Sequence, residues 1–102
     1  MLIVSLSVDQ LEIPGLRDTA VREYSEWQQS RVGDEMLKDE FQKACDVILK
    51  EEFDLELVYE DQDAEYLVKN GVKRGIARRF VRDIGPWVKR YKLDTENSGI
   101  FA

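Results

Sequence analysis

The strongest constraint on the fold of this chain is one apolar stripe near its C-terminal end. Apolar side chains recur there every three or four positions, as on one face of an α-helix: Val72, Ile76, Phe80, Ile84, Trp87, Val88 and Tyr91. Pro86 has no N–H for the carbonyl group four residues before it, so we expect Gly85-Pro86 to kink this helix. The opposite face is basic. Because the apolar stripe must be kept from water, other helices are expected to cover it.

Four shorter helices are predicted before the long one. Each is marked by side chains that can accept hydrogen bonds from the N–H groups of a first helical turn: Asp18 or Thr19, Asp34, Asp54 and Asp63. Gly33 is expected to end the first helix, the second runs to about Glu52, and Asn70-Gly71 closes the fourth, since Gly tolerates a left-handed backbone. The expected core is Tyr24, Trp27, Leu37, Phe41, Ile48, Leu55, Val58, Leu67, Val72, Ile76, Phe80, Ile84 and Trp87.

The length of 102 residues predicts one domain. We expect an N-terminal arm at residues 1–17, the helical domain at 18–92 and a loose tail at 93–102. Residues 2–8 alternate in a weak strand-like pattern, which leaves open whether they lie along the bundle, pair with another chain or are disordered. The segment around Pro14-Gly15 is expected to be extended, with Leu11, Ile13 and Leu16 docked on the bundle.

The location is predicted to be intracellular, with cytoplasm and nucleus not distinguished. The apolar start, Met1 to Val8, lacks the basic flank and cleavage site of a signal peptide. The single cysteine, Cys45, cannot form an internal disulfide, which fits a reducing compartment. No run of about 18 apolar residues is present, so we predict neither a membrane span nor a membrane partner.

The charges are separated along the chain. The formal net charge is −6, but residues 51–65 hold eight acidic side chains and no basic one. Residues 73–92 hold eight basic side chains and one acidic one, Asp83. This pattern predicts a domain with two oppositely charged poles.

The second half of the chain resembles the sterile alpha motif (SAM) family, over roughly Asp54 to Tyr91. Gly71-Val72 stand for the Gly-Ile of the family pattern, and Arg78 follows at the expected distance. Asn70 replaces the usual Leu, and Gly75 comes one residue early. Family positions in the third to fifth helices are matched by Leu55, Leu57, Val58, Leu67, Val81 and Ile84. The resemblance implies an all-α, compact five-helix SAM-like bundle with a long kinked C-terminal helix and an extended N-terminal arm; a death-fold-like bundle is a related alternative.

The resemblance also implies a protein–protein interaction module. Many SAM domains associate head to tail, with an acidic surface of one copy docked on the basic start of the last helix of the next, or bind a related domain. In this sequence the acidic side is Glu56, Glu60, Asp61, Asp63 and Glu65, and the basic side is Lys73, Arg74, Arg78 and Arg79. Contacts of this kind do not close on themselves, so they build open chains.

An enzyme is not predicted. The chain has no histidine, which excludes Ser-His and Cys-His pairs, and Cys45 lies on an apolar helix stripe. The acidic run from Glu60 to Glu65 lacks the sixth-position Gly and the terminal Glu of an EF-hand. We therefore expect no metal site, no cofactor and no small-molecule substrate.

The alternative function is a helical domain that binds RNA or DNA through the same basic residues. Basic side chains at a helix N-terminus are unfavourable by a few tenths of a kcal/mol each, which favours a docked anion. Against nucleic acid, the chain is acidic overall. The aromatic side chains of the last helix also fall on its apolar stripe, where they are expected in the core rather than stacked on bases.

Overall fold

The computed structural model of the chain describes residues 11–91, and the regular secondary structure in that range is entirely α-helical. Its helices are α1 (Arg17–Ser30), α2 (Glu35–Lys50), α3 (Leu55–Asp61), α4 (Ala64–Lys69), α5 (Arg74–Arg82) and α6 (residues 84–91). The prediction of an all-α domain is confirmed for these residues. The strand-like pattern at residues 2–8 and the tail at 93–102 lie outside them.

Three of the helices start where the aspartates predict. The side chains of these residues accept hydrogen bonds from first-turn N–H groups: Asp34 from Met36 at 2.7 Å, Asp54 from Leu57 at 3.0 Å and Asp63 from Tyr66 at 3.3 Å. Helix α1 differs, because it starts at Arg17, after an extended Leu16 that makes no side-chain cap. Its predicted start after Asp18 or Thr19 is therefore too late.

The end of α4 follows the Asn70-Gly71 prediction. Gly71 has φ 98°, its N–H donates to the carbonyl of Val68 at 3.0 Å, and the next N–H, of Val72, donates to Leu67 at 3.0 Å. This is a Schellman motif, in which two carbonyl groups at the helix end gain partners. Helices α1 and α2 both end earlier than predicted, at Ser30 and Lys50.

The predicted kinked last helix is found as two helices, α5 and α6, separated by a turn at Asp83. Pro86 explains the position of the break, because its ring removes the N–H that would bond the carbonyl of Arg82 and clashes with that group. Backbone hydrogen bonds continue on both sides, from Asp83 to Arg79 and from Trp87 to Asp83, each at 3.0 Å. The interruption is therefore short, and the apolar face continues into α6.

The core forms around α5. Helix α1 packs along α2, α4 packs along α5, and α5 also contacts α2 and α3. The ring of Tyr24 lies 4.9 Å from that of Phe80 and 5.2 Å from that of Trp87, measured between centroids. These three aromatic side chains join α1, α5 and α6 in one buried cluster. Within residues 11–91, no helix is both long enough and apolar enough to cross a bilayer.

The predicted core is largely found, with one error. Leu37 is 40% exposed. It lies in the first turn of α2, where all residues from Gly33 to Leu37 are exposed to solvent. Trp27 and Ile76 are only partly buried against the cluster. The other predicted core side chains are buried: Tyr24, Phe41, Ile48, Leu55, Val58, Leu67, Val72, Phe80, Ile84 and Trp87.

The segment before α1 docks on the bundle only in part, because Leu16, which was expected to dock, is 72% exposed. Leu11 and Ile13 pack against the core, and the backbone N–H of Ile13 donates to Oε2 of Glu56 at 3.3 Å. One of the predicted acidic site residues therefore holds this segment in place.

Candidate functional site

The basic side of α5 is an exposed surface, as the apolar stripe requires. Ala77, Phe80 and Val81 point into the core, while four arginines of the same helix are exposed: Arg74, Arg78, Arg79 and Arg82. An open groove of about 390 Å³ runs along this side, between α5 and the α3–α4 connection at Gln62 to Ala64. We call it the α5 groove; its basic wall is formed by Arg78, Arg79 and Arg82.

The predicted basic residues differ in how they are engaged. Arg74 forms an ion pair with Glu65, and Arg79 lies 3.6 Å from Asp83, measured from Nη1 to Oδ1. Arg78 and Arg82 form no ion pair with a carboxylate among residues 11–91. Arg78 is thus the predicted arginine that the described fold leaves most available.

The two charged segments meet within one molecule. Because α4 packs on α5, Glu65 reaches Arg74, although the sequence assigned these residues to opposite poles. Asp63 is engaged as the N-cap of α4, and Glu56 binds the segment before α1. The remaining predicted acidic residues, Glu60 and Asp61, are exposed in the last turn of α3 without an ion pair to any described residue.

Helix α5 begins at Arg74, and the side chain of its N-cap residue, Lys73, does not cap it. Glu40 of α2 replaces that cap: its Oε1 accepts from the backbone N–H of Lys73 at 3.0 Å, and its Oε2 lies 3.1 Å from Nζ of Lys43. Lys43 also donates to the carbonyl of Gly71 at 3.2 Å. We call these contacts of Glu40 and Lys43 the Glu40 clamp. The sequence did not predict it, because 33 residues separate Glu40 from Lys73 and no local pattern joins them.

Glu40→Gln is expected to lower the free energy of unfolding at pH 7 by about 1 kcal/mol, the typical effect of losing a helix cap. The hydrogen bond from Lys73 and the nearby Lys43 hold the pKa of Glu40 below its usual value of 4.5. A depressed pKa in the folded state stabilises the fold above pH 4.5, and this contribution disappears as the pH falls through the folded-state pKa.

Urea unfolding of wild type and Glu40→Gln at pH 7, 5 and 3 would measure this effect. The difference between the two proteins should shrink towards low pH, where Glu40 is protonated in both states. Glu35→Gln is a matched control, since Glu35 is an exposed first-turn residue of the same helix whose carboxylate pairs with Lys38 and with no other residue from 11 to 91. A difference that is constant with pH would contradict the clamp.

A second cluster joins α1 to the α5–α6 junction. The hydroxyl of Tyr24 donates to the carbonyl of Phe80, and Nε2 of Gln28 donates both to that hydroxyl at 3.0 Å and to Oδ2 of Asp83 at 3.1 Å. Gln28 is 2% exposed, so these bonds satisfy a polar side chain that is out of water. Burial raises the pKa of Tyr24 well above its usual range. The hydroxyl therefore stays protonated and serves as a hydrogen-bond donor.

Two residues beside this cluster were not predicted as site residues. The guanidinium of Arg31 lies 5.1 Å from the centroid of the Trp27 ring, in a cation–π contact. Arg90 of α6 lines the same groove as Trp27 and Arg31. Helical periodicity assigned Trp27 to the core, but the ring is only partly buried. No local pattern places Arg31 and Arg90 together, since they are distant in the sequence.

The residues with catalytic or metal-binding chemistry do not converge. Within the described range, no three Cys, Asp or Glu side chains are grouped to hold a metal ion. Cys45 is buried, as predicted, and burial raises the pKa of its thiol, which disfavours the reactive thiolate.

The chain was compared with protein-family models, with curated proteins and with solved structures. The resemblance to the sterile alpha motif family stays a prediction, because none of these comparisons found a match.

Proposed function

We propose that this chain is a SAM-like protein–protein interaction module that associates head to tail with further copies, or with a related helical domain. The observation that carries the proposal is the exposed basic wall of the α5 groove, where Arg78 and Arg82 have no carboxylate partner among residues 11–91. An acidic surface on a second molecule would supply those partners. The proposed acidic surface is the one around α3 and the start of α4.

The contacts within one molecule refine which residues would meet across the interface. Arg74 and Glu65 already neutralise each other, and Asp63 and Glu56 bind backbone N–H groups. The intermolecular contact is therefore assigned mainly to Arg78 on one copy and to Glu60 and Asp61 on the next. Exposed ion pairs contribute only about 0.2–1 kcal/mol each, so several must act together and the association should depend on salt.

The second candidate is binding of RNA or DNA along the same wall. Three arginines on one side of α5, beside an open groove, favour it, because guanidinium groups bind phosphates well. The formal net charge of −6 and the acidic α3 surface oppose it, since both repel a phosphate backbone. We rank it below protein association.

Light scattering over a concentration series tests the first candidate. The average mass of the wild type should rise with concentration at low salt and fall as the ionic strength passes about 0.1 M, where the Debye length is about 10 Å. Arg78→Glu should weaken association at least roughly tenfold, because it places like charges opposite each other. Asp61→Lys should do the same from the acidic side. A mixture of the two variants should pair again.

Arg22→Glu is the matched control. It changes the net charge equally, but Arg22 lies on α1, outside the α5 groove, where it pairs with Asp18. Its association should equal that of the wild type. A wild type that stays monomeric at every concentration would exclude self-association. An oligonucleotide titration would then decide whether Arg78 binds nucleic acid.

A further inference from the structure

A second basic surface adjoins the α5 groove at Arg79, which lines both. Residues from the end of α1 and from the α5–α6 junction line a groove of about 280 Å³, which we call the arginine groove: Trp27, Arg31, Arg79, Asp83, Pro86 and Arg90. Three guanidinium groups surround one carboxylate, so the groove carries a net positive charge. Apart from Arg79, none of these residues lines the α5 groove.

The one carboxylate of the arginine groove is already engaged. Oδ2 of Asp83 accepts from Gln28 at 3.1 Å, and Oδ1 lies 3.6 Å from Nη1 of Arg79. Among residues 11–91, neither Arg31 nor Arg90 forms an ion pair. The positive charge of these two side chains is therefore not neutralised by the described fold.

Two of the three guanidinium groups are held at defined positions. Arg31 lies over the Trp27 ring, and that ring in turn stacks against Tyr24 with centroids 6.0 Å apart. Arg79 is kept near Asp83, which Gln28 anchors to the core. Restricting side chains before binding reduces the conformational entropy that a ligand must overcome.

We propose that the arginine groove binds an acidic segment of a partner protein, with at least two neighbouring carboxylates. Guanidinium groups bind carboxylates through paired hydrogen bonds. Since Arg31, Arg79 and Arg90 all line the groove, it can bind more than one carboxylate. The Trp27 ring already contacts both the Tyr24 ring and the Arg31 guanidinium, which favours a carboxylate ligand over a stacked nucleic-acid base. The aromatic side chain thus positions an arginine instead of stacking on a base.

This inference does not rest on the head-to-tail association. Arg31 and Arg90 lie outside the α5 groove, and variants at these two positions test the arginine groove alone. Light scattering of the same variants reports separately on self-association, which should be unchanged from the wild type. Failure of one proposal therefore leaves the other measurable.

The probe is a fluorescein-labelled hexaglutamate peptide, titrated at low salt and followed by fluorescence anisotropy. Arg31→Gln and Arg90→Gln should each weaken its binding by roughly tenfold, as loss of a hydrogen bond to a charged group predicts. Arg22→Gln is the matched control, since it removes the same charge from α1, outside both grooves, where Arg22 pairs with Asp18, and it should bind like the wild type. Circular dichroism would confirm that the exposed substitutions leave the helices intact.

Three outcomes would overturn the proposal. The first is no binding of the peptide by the wild type at millimolar concentration. The second is an equal loss in Arg31→Gln and Arg22→Gln, which would mean that the peptide responds only to overall charge. The third is tighter binding of a six-nucleotide oligothymidine than of the peptide, with that binding lost in Arg31→Gln and Arg90→Gln. This result would identify the groove as a nucleic-acid site.

Discussion

Phe80→Ala is expected to lower the free energy of unfolding by about 3–5 kcal/mol, the range for removing a buried phenylalanine ring. Phe80 is fully buried, and its ring packs edge-on against Tyr24 with centroids 4.9 Å apart. Its removal would leave a cavity where α1 meets α5. Since domains of this size are typically stable by only about 5–15 kcal/mol, the loss is a large share of the total.

Urea unfolding monitored by tryptophan fluorescence would measure this loss, because Trp27 and Trp87 lie near the affected cluster. Phe53→Ala is the matched control. Phe53 contacts Tyr66 at 5.2 Å between ring centroids but is only partly buried in the α2–α3 connection, so its loss should be less than half as large. Equal losses for the two variants would contradict the central position of Phe80.

Tyr24→Phe is expected to lower the free energy of unfolding by about 1–3 kcal/mol, because it leaves buried polar groups without a partner. The tyrosine hydroxyl donates to the Phe80 carbonyl and accepts from Nε2 of Gln28. After its removal Gln28 would keep its bond to Asp83 but lose one of its two partners. The packing of the ring itself should be unchanged, so the loss would report on hydrogen bonding.

Tyr66→Phe provides the matched comparison for this substitution. The hydroxyl oxygen of Tyr66 is buried without a hydrogen-bond partner among the described residues. Its removal should therefore be neutral or should stabilise the fold by up to about 1 kcal/mol, since an unpaired buried polar group is unfavourable. Similar losses in both variants would show that the Tyr24 network contributes little beyond ring packing.

Local signals in the sequence predicted three helix starts and one helix end correctly. Asp34, Asp54 and Asp63 cap the helices that they were expected to cap, and Gly71 closes α4 with a positive φ. Each of these signals acts within about six residues along the chain, and a neighbouring residue supplies the hydrogen-bond partner. They therefore operate without knowledge of the rest of the fold.

The predictions failed where a local signal was misleading, as at the start of α1, or absent, as at the end of α2. The end of α2 adopts the same turn as Gly71, but Glu52 occupies the left-handed position with φ 61°, a conformation that its side chain disfavours. Helical periodicity assigned Leu37 and Trp27 to the core because it reports which face a residue occupies. It does not report how far along the helix the neighbouring elements extend.

The candidate site was predicted only in part for the same reason. The exposed basic side of α5 followed from its apolar stripe, because burying one face of a helix leaves the opposite face exposed. Which arginines remain available did not follow. Arg74 is paired because α4 packs beside α5, and Arg31 and Arg90 line one groove only because α1 lies against the α5–α6 junction.

The sequence by itself determined the all-α class, the three aspartate caps, the Gly71 turn and the two faces of α5. These depend on periodicity and on interactions between residues close in the chain. The tertiary structure alone decided the Glu40 clamp, the Tyr24–Gln28–Asp83 network and the composition of the arginine groove. Each of these joins side chains from separate helices, and their distances are set by how the helices pack rather than by any spacing in the sequence.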